Sequence, residues 1–156
     1  MCPSRNIVIG LISLLPFIAA HAQTKDQCQQ QLPPHQQKDE ATIQQIETSW
    51  NLAITRGDSS FERCLLTADF QQILNKGELK ALTDELAMTD KNRGKNRPPP
   101  RMPPLTVLMH GNVAVAYATW VPTDPTKKPD QTADFFVWEN GAWHVFFSQS
   151  TPVERE

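Results

Sequence analysis

The chain has few of the residues that usually mark a chemistry: 156 residues hold four histidines, one tyrosine, six glycines and three cysteines. The histidines form no His-x-His pair and stand at no helical ligand spacing from a carboxylate, so His110 and His144 make no metal motif. There is no Ser or Cys nucleophile motif and no glycine-rich phosphate loop, so neither cofactor nor metal is expected. Basic residues do not predominate: 15 Lys+Arg face 17 Asp+Glu, which gives no general attraction for nucleic acid. The longest apolar run, residues 7–20, contains Gly10 and Pro16 and falls short of the roughly 20 residues a bilayer span needs.

That run reads instead as an export signal. Arg5 precedes it, and Ala20-His21-Ala22 supplies the small-x-small pattern that a signal peptidase cuts after. Residues 1–22 are therefore expected to be removed, leaving a periplasmic or secreted protein with no membrane anchor. No Cys follows the cleavage site, which excludes a lipoprotein. Cys2 leaves with the signal, and Cys28 and Cys64 remain. An even pair in an oxidising compartment reads as a disulfide, contributing about 4 kcal/mol on the chain-entropy model. Two separate thiols, with Cys64 buried on a helix, are the other reading.

The rest of the chain has room for one domain and one core. Residues 23–38, rich in Gln and containing Pro33-Pro34, show neither helical nor strand periodicity and read as a tether. From Asp39 the pattern changes. Ile43, Ile46, Trp50, Ala53 and Ile54 recur at helical spacing, with Asp39 as N-cap and Gly57 as the left-handed stop, giving a helix over 40–56. Ser59 and Glu62 then match a capping box, and Phe61, Cys64 and Leu65 supply the apolar stripe of a second helix ending near Thr67. An extended stretch over 70–74 and a turn at Asn75-Lys76-Gly77 lead to a third helix carrying Leu79, Leu82 and Leu86.

Residues 91–104 hold five basic residues against no acid, and five prolines, and read as an exposed, mobile loop. Whether it binds an anion or is simply solvated stays open. Strand signals follow over 105–109 and 113–121, around a turn at His110-Gly111-Asn112. The last two strands, 132–139 and 142–151, flank Asn140-Gly141, a strong type I′ hairpin signal. Helices followed by an antiparallel sheet define an α+β chain.

The order of elements, together with IETSWNLAITRGD (46–58), LLTADF (65–70) and ADFFVWENGAWHVFFSQSTPV (133–153), resembles the nuclear transport factor 2-like superfamily, and within it the SnoaL-like exported proteins of uncharacterised function. The resemblance covers about 40–153 and implies three N-terminal helices packed on a curved antiparallel sheet, wrapped into a cone with a pocket. Relatives place an isomerase, a cyclase, dehydratases or a plain binding site there. The basic Pro-rich insertion departs from the usual compact link.

A two-residue hairpin loop sets a register. With unbroken alternation Trp138, Trp143, Phe136, Val145, Phe147, Asp134, Thr132 and Gln149 share one face, and Glu139, His144, Val137, Phe135, Phe146, Ala133 and Ser148 share the other. The first set is expected to face the cone. The expected ligand pocket is therefore Trp50, Phe70, Asp134, Phe136, Trp138, Trp143, Phe147 and Gln149. The apolar Phe135 and Phe146 on the convex face suggest a homodimer contact. Asp134, a carboxylate among apolar groups, is the candidate general base, with Tyr117 as an oxyanion donor. A structural role for Asp134, bonded to Gln149 or to backbone, is the alternative. Two readings follow: an exported module binding a small apolar or amphipathic molecule or serving as a dimeric accessory, or a cofactor-free isomerase, cyclase or dehydratase acting through Asp134.

Overall fold

The computed structural model describes Cys28, residues 30–98, residues 101–121, Thr126 and residues 128–153. The export signal read over residues 1–22 lies outside them. Helix α1 spans Glu40–Arg56, with the Asp39 carboxylate accepting from the Thr42 amide at 2.8 Å. Gly57 ends it at φ 73°, and a Cβ there would stand 2.2 Å from the Arg93 amide nitrogen, so both conformation and space demand glycine.

Helix α2, Ser59–Leu65, is capped by Asp58, not Ser59. Ser59 hydroxyl instead donates to Asp90 at 2.8 Å, and Glu62 is fully buried, so the sequence resembles a capping box without forming one. Strand β1, Leu66–Ile73, begins as soon as α2 ends. It turns at Asn75-Lys76-Gly77 into the short β2, Leu79–Ala81, and only then does α3, Leu82–Asp90, begin. Leu79, expected on the third helix, is exposed on β2, so a two-stranded ribbon separates the second helix from the third.

Strands β3 (Thr106–His110), β4 (Val113–Trp120), β5 (Asp130–Glu139) and β6 (Ala142–Pro152) complete a sheet in the order β2-β1-β6-β5-β4-β3. The sheet is mixed: β1 runs parallel to β6, where an antiparallel sheet was expected. The hairpin at Asn140-Gly141 has positive φ at both residues, 53° and 85°, as a type I′ turn requires.

The register near this turn is the expected one, with Trp138 opposite Trp143 and Phe136 opposite Val145. One residue on, it changes. Phe135 pairs with Phe147 and Asp134 with Ser148, so Phe146 is an extra residue on β6, a β-bulge. Because side chains alternate with period two, the bulge reverses the faces of everything after it. Phe146 and Phe147 both join Phe135 on the convex face, with ring centroids 6.2 and 5.5 Å from it. Gln149 goes with them and is exposed, while Ser148 and Ser150 turn toward the helices. Phe147 and Gln149 are thus removed from the expected pocket.

The core lies between the sheet and the helices. At the hairpin end it is solid: Ile43, Ile46, Leu65, Phe70, Phe136, Trp143 and Val145 are all buried. The segment read as a tether is part of this core from Cys28 onward. Leu32 is buried, the Gln36 side chain accepts from the Trp143 amide at 2.8 Å, and the Gln37 carbonyl accepts from the Trp143 indole at 2.9 Å. A Cys28–Cys64 disulfide fastens it to α2. The basic segment is also anchored where it begins. Arg93 pairs with Asp90 at 2.6 Å, and the Asn92 amide donates to the Ile54 carbonyl at 3.0 Å.

Candidate functional site

Beyond the bulge the same sheet face becomes polar. One rung carries Gln72 on β1, Ser148 on β6, Asp134 on β5 and Ala116 on β4; the next carries Ser150, Thr132 and Ala118. The small residues of β4 keep this face low. Above it stand Glu47, Trp50, Asn51 and Ile54, one face of α1, and Glu85 from α3. Between them is a cavity of about 230 Å³, with Leu105, Trp120 and Asp130 toward its outer end.

Four carboxyl groups from four elements meet at the inner end: Glu47 (α1), Glu62 (α2), Glu85 (α3) and Asp134 (β5), none more than 8% exposed. Their partners are few. Ser148 donates its hydroxyl to Asp134, and the Trp50 indole donates to Glu62 at 3.0 Å. Among the described residues no Lys, Arg or His lines the cavity.

Burial without a counter-ion disfavours the charged form of each acid. It pushes Asp134 up to about 6, with the Ser148 hydroxyl and the Glu47 carboxyl acting in the opposite direction. Glu47 rises well above the carboxylate range, first from burial, then from the neighbouring Asp134 charge, and it holds a proton toward Asp134. Burial and the charges of Glu62 and Asp134 push Glu85 up to about 7. Glu62 is also raised by burial, moderated by the Trp50 indole. The pairs Glu47–Asp134 and Glu85–Glu62 can each share a proton, and a proton exchanged near neutral pH is what acid–base chemistry needs.

Of the residues expected in the pocket, Trp50 and Asp134 line the cavity. Phe70, Phe136 and Trp143 are buried in the solid core. Trp138 is half-buried, stacked edge-on against Trp143 with the Lys38 ammonium 5.4 Å from its ring centroid. Tyr117 pairs with Ala133 while Asp134 pairs with Ala116, so the tyrosine and the carboxylate lie on opposite faces and are not brought together. His144 lies by the hairpin, beside a separate groove next to the disulfide. Glu47, Glu62, Glu85 and Ser148 are the site residues absent from the expectation.

A cone of this order, with helices on one face of a mixed sheet and a pocket between, is an architecture found among solved structures. A nuclear transport factor 2-like protein from Cytophaga hutchinsonii superposes with TM-score 0.58 at 15% identity, over 74% of this chain and 99% of that one. One of unknown function from Pseudomonas putida gives 0.57 at 20% identity, over 75% and 89%. A putative Ca/calmodulin-dependent kinase II association domain from Exiguobacterium sibiricum gives 0.59 at 16% identity, over 73% and 92%. No protein-family model and no curated protein sequence matches the chain. At these identities the likeness defines the fold alone. The chain has the nuclear transport factor 2-like fold.

Proposed function

We propose that the protein is an exported binding module whose cone holds one small molecule. The observation that carries this is the cavity of about 230 Å³, lined by the apolar Trp50, Ile54, Leu105 and Trp120 and by the polar side chains of Asp134, Ser148 and Thr132. Such pairing of apolar wall and a few convergent polar groups is the usual make-up of a small-molecule site. The volume suits an amphipathic molecule of modest size; a wholly apolar one would leave the carboxyl groups without partners. The Cys28–Cys64 disulfide supports an oxidising compartment. Among the described residues no helix is long and apolar enough to cross a membrane. The convex Phe135, Phe146 and Phe147 cluster fits a contact with a second copy. Some proteins of like fold are association domains of a kinase, which agrees with that use of the fold.

Native mass spectrometry of the protein from its own host tests the binding reading. A co-purifying mass that is lost on denaturation is expected, and a Thr132→Trp variant, which fills the cavity, should lose it. A wild-type protein that comes through with bare chain mass, and that no small molecule perturbs, would overturn the reading.

Acid–base catalysis is the second reading, favoured by Asp134 at about 6 and Glu85 at about 7. Both groups change protonation in the range where a general base or acid operates. Carbon-13 NMR of the side-chain carboxyls decides it: midpoints in the free carboxylate range, near 4, would remove both candidates.

A further inference from the structure

The lining of the cavity is lopsided in hydrogen-bonding capacity. Glu47 and Glu85 are 3% and 4% exposed, and Oε1 of Glu47 and Oε2 of Glu85 have no hydrogen-bond partner. The Gln72 amide oxygen, on a different element and outside the acid cluster, is likewise buried with no donor. All three residues line the same cavity, and all three orphan atoms are acceptors. A ligand that satisfies them must bring donors. Nearby charge points the same way. Asp134 stands in the cavity, Glu62 behind Glu85, and Asp130 at the outer end, its carboxylate held by Asn75 at 3.2 Å. The indole rings of Trp50 and Trp120 also line the space, and aromatic faces attract cations.

We propose that the cavity binds an organic cation, a protonated primary amine with a small apolar body, whose N–H groups donate to Glu47, Glu85 and Gln72 beside the Asp134 carboxyl and whose body lies between Trp50 and Trp120. This rests on the reading of the cone as a binding pocket. An ammonium group has three donors and no acceptor, the complement of the orphan oxygens. Its charge removes the mutual repulsion that otherwise obliges the acids to keep protons, so binding expels protons from the site. The amine stays charged across the neutral range, as the lysine amine does at a pKa of about 10.4. Affinity therefore rises as pH climbs and the acids ionise.

The test uses three molecules of one shape: benzylammonium, benzyl alcohol and benzoate. Each is titrated into the nitrogen-15-labelled protein at pH 8 and pH 5 while the Trp50 and Trp120 indole resonances are followed. Benzylammonium is expected to shift both indoles, to bind at least tenfold tighter than the alcohol at pH 8, and to weaken about tenfold at pH 5. Glu47→Gln and Glu85→Gln should each reduce its affinity about tenfold while leaving the alcohol unaffected. The pH comparison on the unaltered protein serves if either variant fails to fold. If the alcohol or benzoate binds as tightly as the amine with the same shifts, the cone binds small molecules and the cationic class is wrong. If none of the three moves either indole, the pocket reading falls along with this one.

Discussion

The two ends of one sheet face follow opposite rules, though they are built on the same strands and divided by a single bulge. On the hairpin side, Phe136, Val145 and Trp143 are wholly enclosed, and the backbone and indole N–H groups of Trp143 find acceptors in the leader. On the open side, Asp134 and Ser148, also buried, face Glu47 and Glu85 across a cavity. The first arrangement is what hydrophobic burial favours. The second costs stability, since unpaired buried acids either keep a proton or bear repulsion. Strained or destabilised residues gathered in one place, beside a well-packed core, are the mark of a site kept for use. The bulge is the joint between the two regimes. By inserting Phe146 it sends two consecutive phenylalanines outward and turns two serines inward.

The sharpest contrast comes from cutting into the solid end. Phe136→Ala should cost about 3–5 kcal/mol, measured by urea unfolding, because a fully buried ring leaves a hole the neighbours cannot close. A loss below about 1 kcal/mol would mean that this end is as loose as the other. Next in size is the leader's fastening. Cys28→Ser should cost about 3 kcal/mol under oxidising conditions and nothing once reductant is added to both proteins. It should leave the Trp120 indole resonance at the open end unmoved, since the disulfide joins the leader to α2 beside the hairpin.

The open end should answer to pH instead. Glu47, Glu62, Glu85 and Asp134 all have raised pKa values in the folded protein, so between about pH 4 and 7 the folded state holds more protons than the unfolded chain. Their contribution is greatest below the unfolded carboxylate range and is lost as pH rises through about 6 and about 7. Asp39 and Asp90, lowered by their hydrogen bonds, act in the opposite sense at the acid extreme. Stability without ligand should therefore peak near pH 5 and fall toward pH 8. Glu85→Gln, which cannot ionise, should be more stable than the parent by about 1–2 kcal/mol at pH 8 and nearly equal at pH 5. Equal destabilisation at both values would make Glu85 a structural hydrogen-bonding group.

Much of the fold was legible and little of the site, for a reason visible in particular residues. Apolar periodicity marks helices wherever a stripe is buried, and Asp39, Gly57 and Asn140-Gly141 punctuate the chain through backbone requirements that act locally. The parallel β1–β6 pair and the β2 ribbon depend on contacts distant in sequence, which no local pattern reports. The acids were hidden in plain view. Glu47 lies on the stripe of Ile43, Ile46, Trp50 and Ile54, and Glu85 lies with Leu82, Leu86 and Thr89 at spacings of three and four. Charged residues at core-facing positions were the available signal. Glu62 carried a competing local explanation in Ser59, and that explanation was the wrong one. Asp134 was found because the extra residue lies on β6 and leaves the alternation of β5 unbroken. Gln149 and Phe147 were misplaced because a bulge leaves no mark in a hydrophobic run.

The smallest expected effect tests that register directly. If Ser148 faces inward beside Asp134, its hydroxyl stabilises the ionised carboxylate and holds the Asp134 pKa down against burial. Ser148→Ala should then raise the Asp134 midpoint above about 6 and cost about 1 kcal/mol at pH 8, where the carboxylate is charged. Near pH 4.5 the carboxyl is mostly protonated and the loss should shrink to a few tenths. Without the bulge, Ser148 would stand on the convex face and Phe147 beside Asp134. The alanine variant would then be silent at both pH values, and Gln149→Ala would move the Asp134 midpoint instead. Running the two variants side by side, with the carboxyl followed by carbon-13 NMR, fixes which residue of β6 turns toward the acids and hence where the solid end stops.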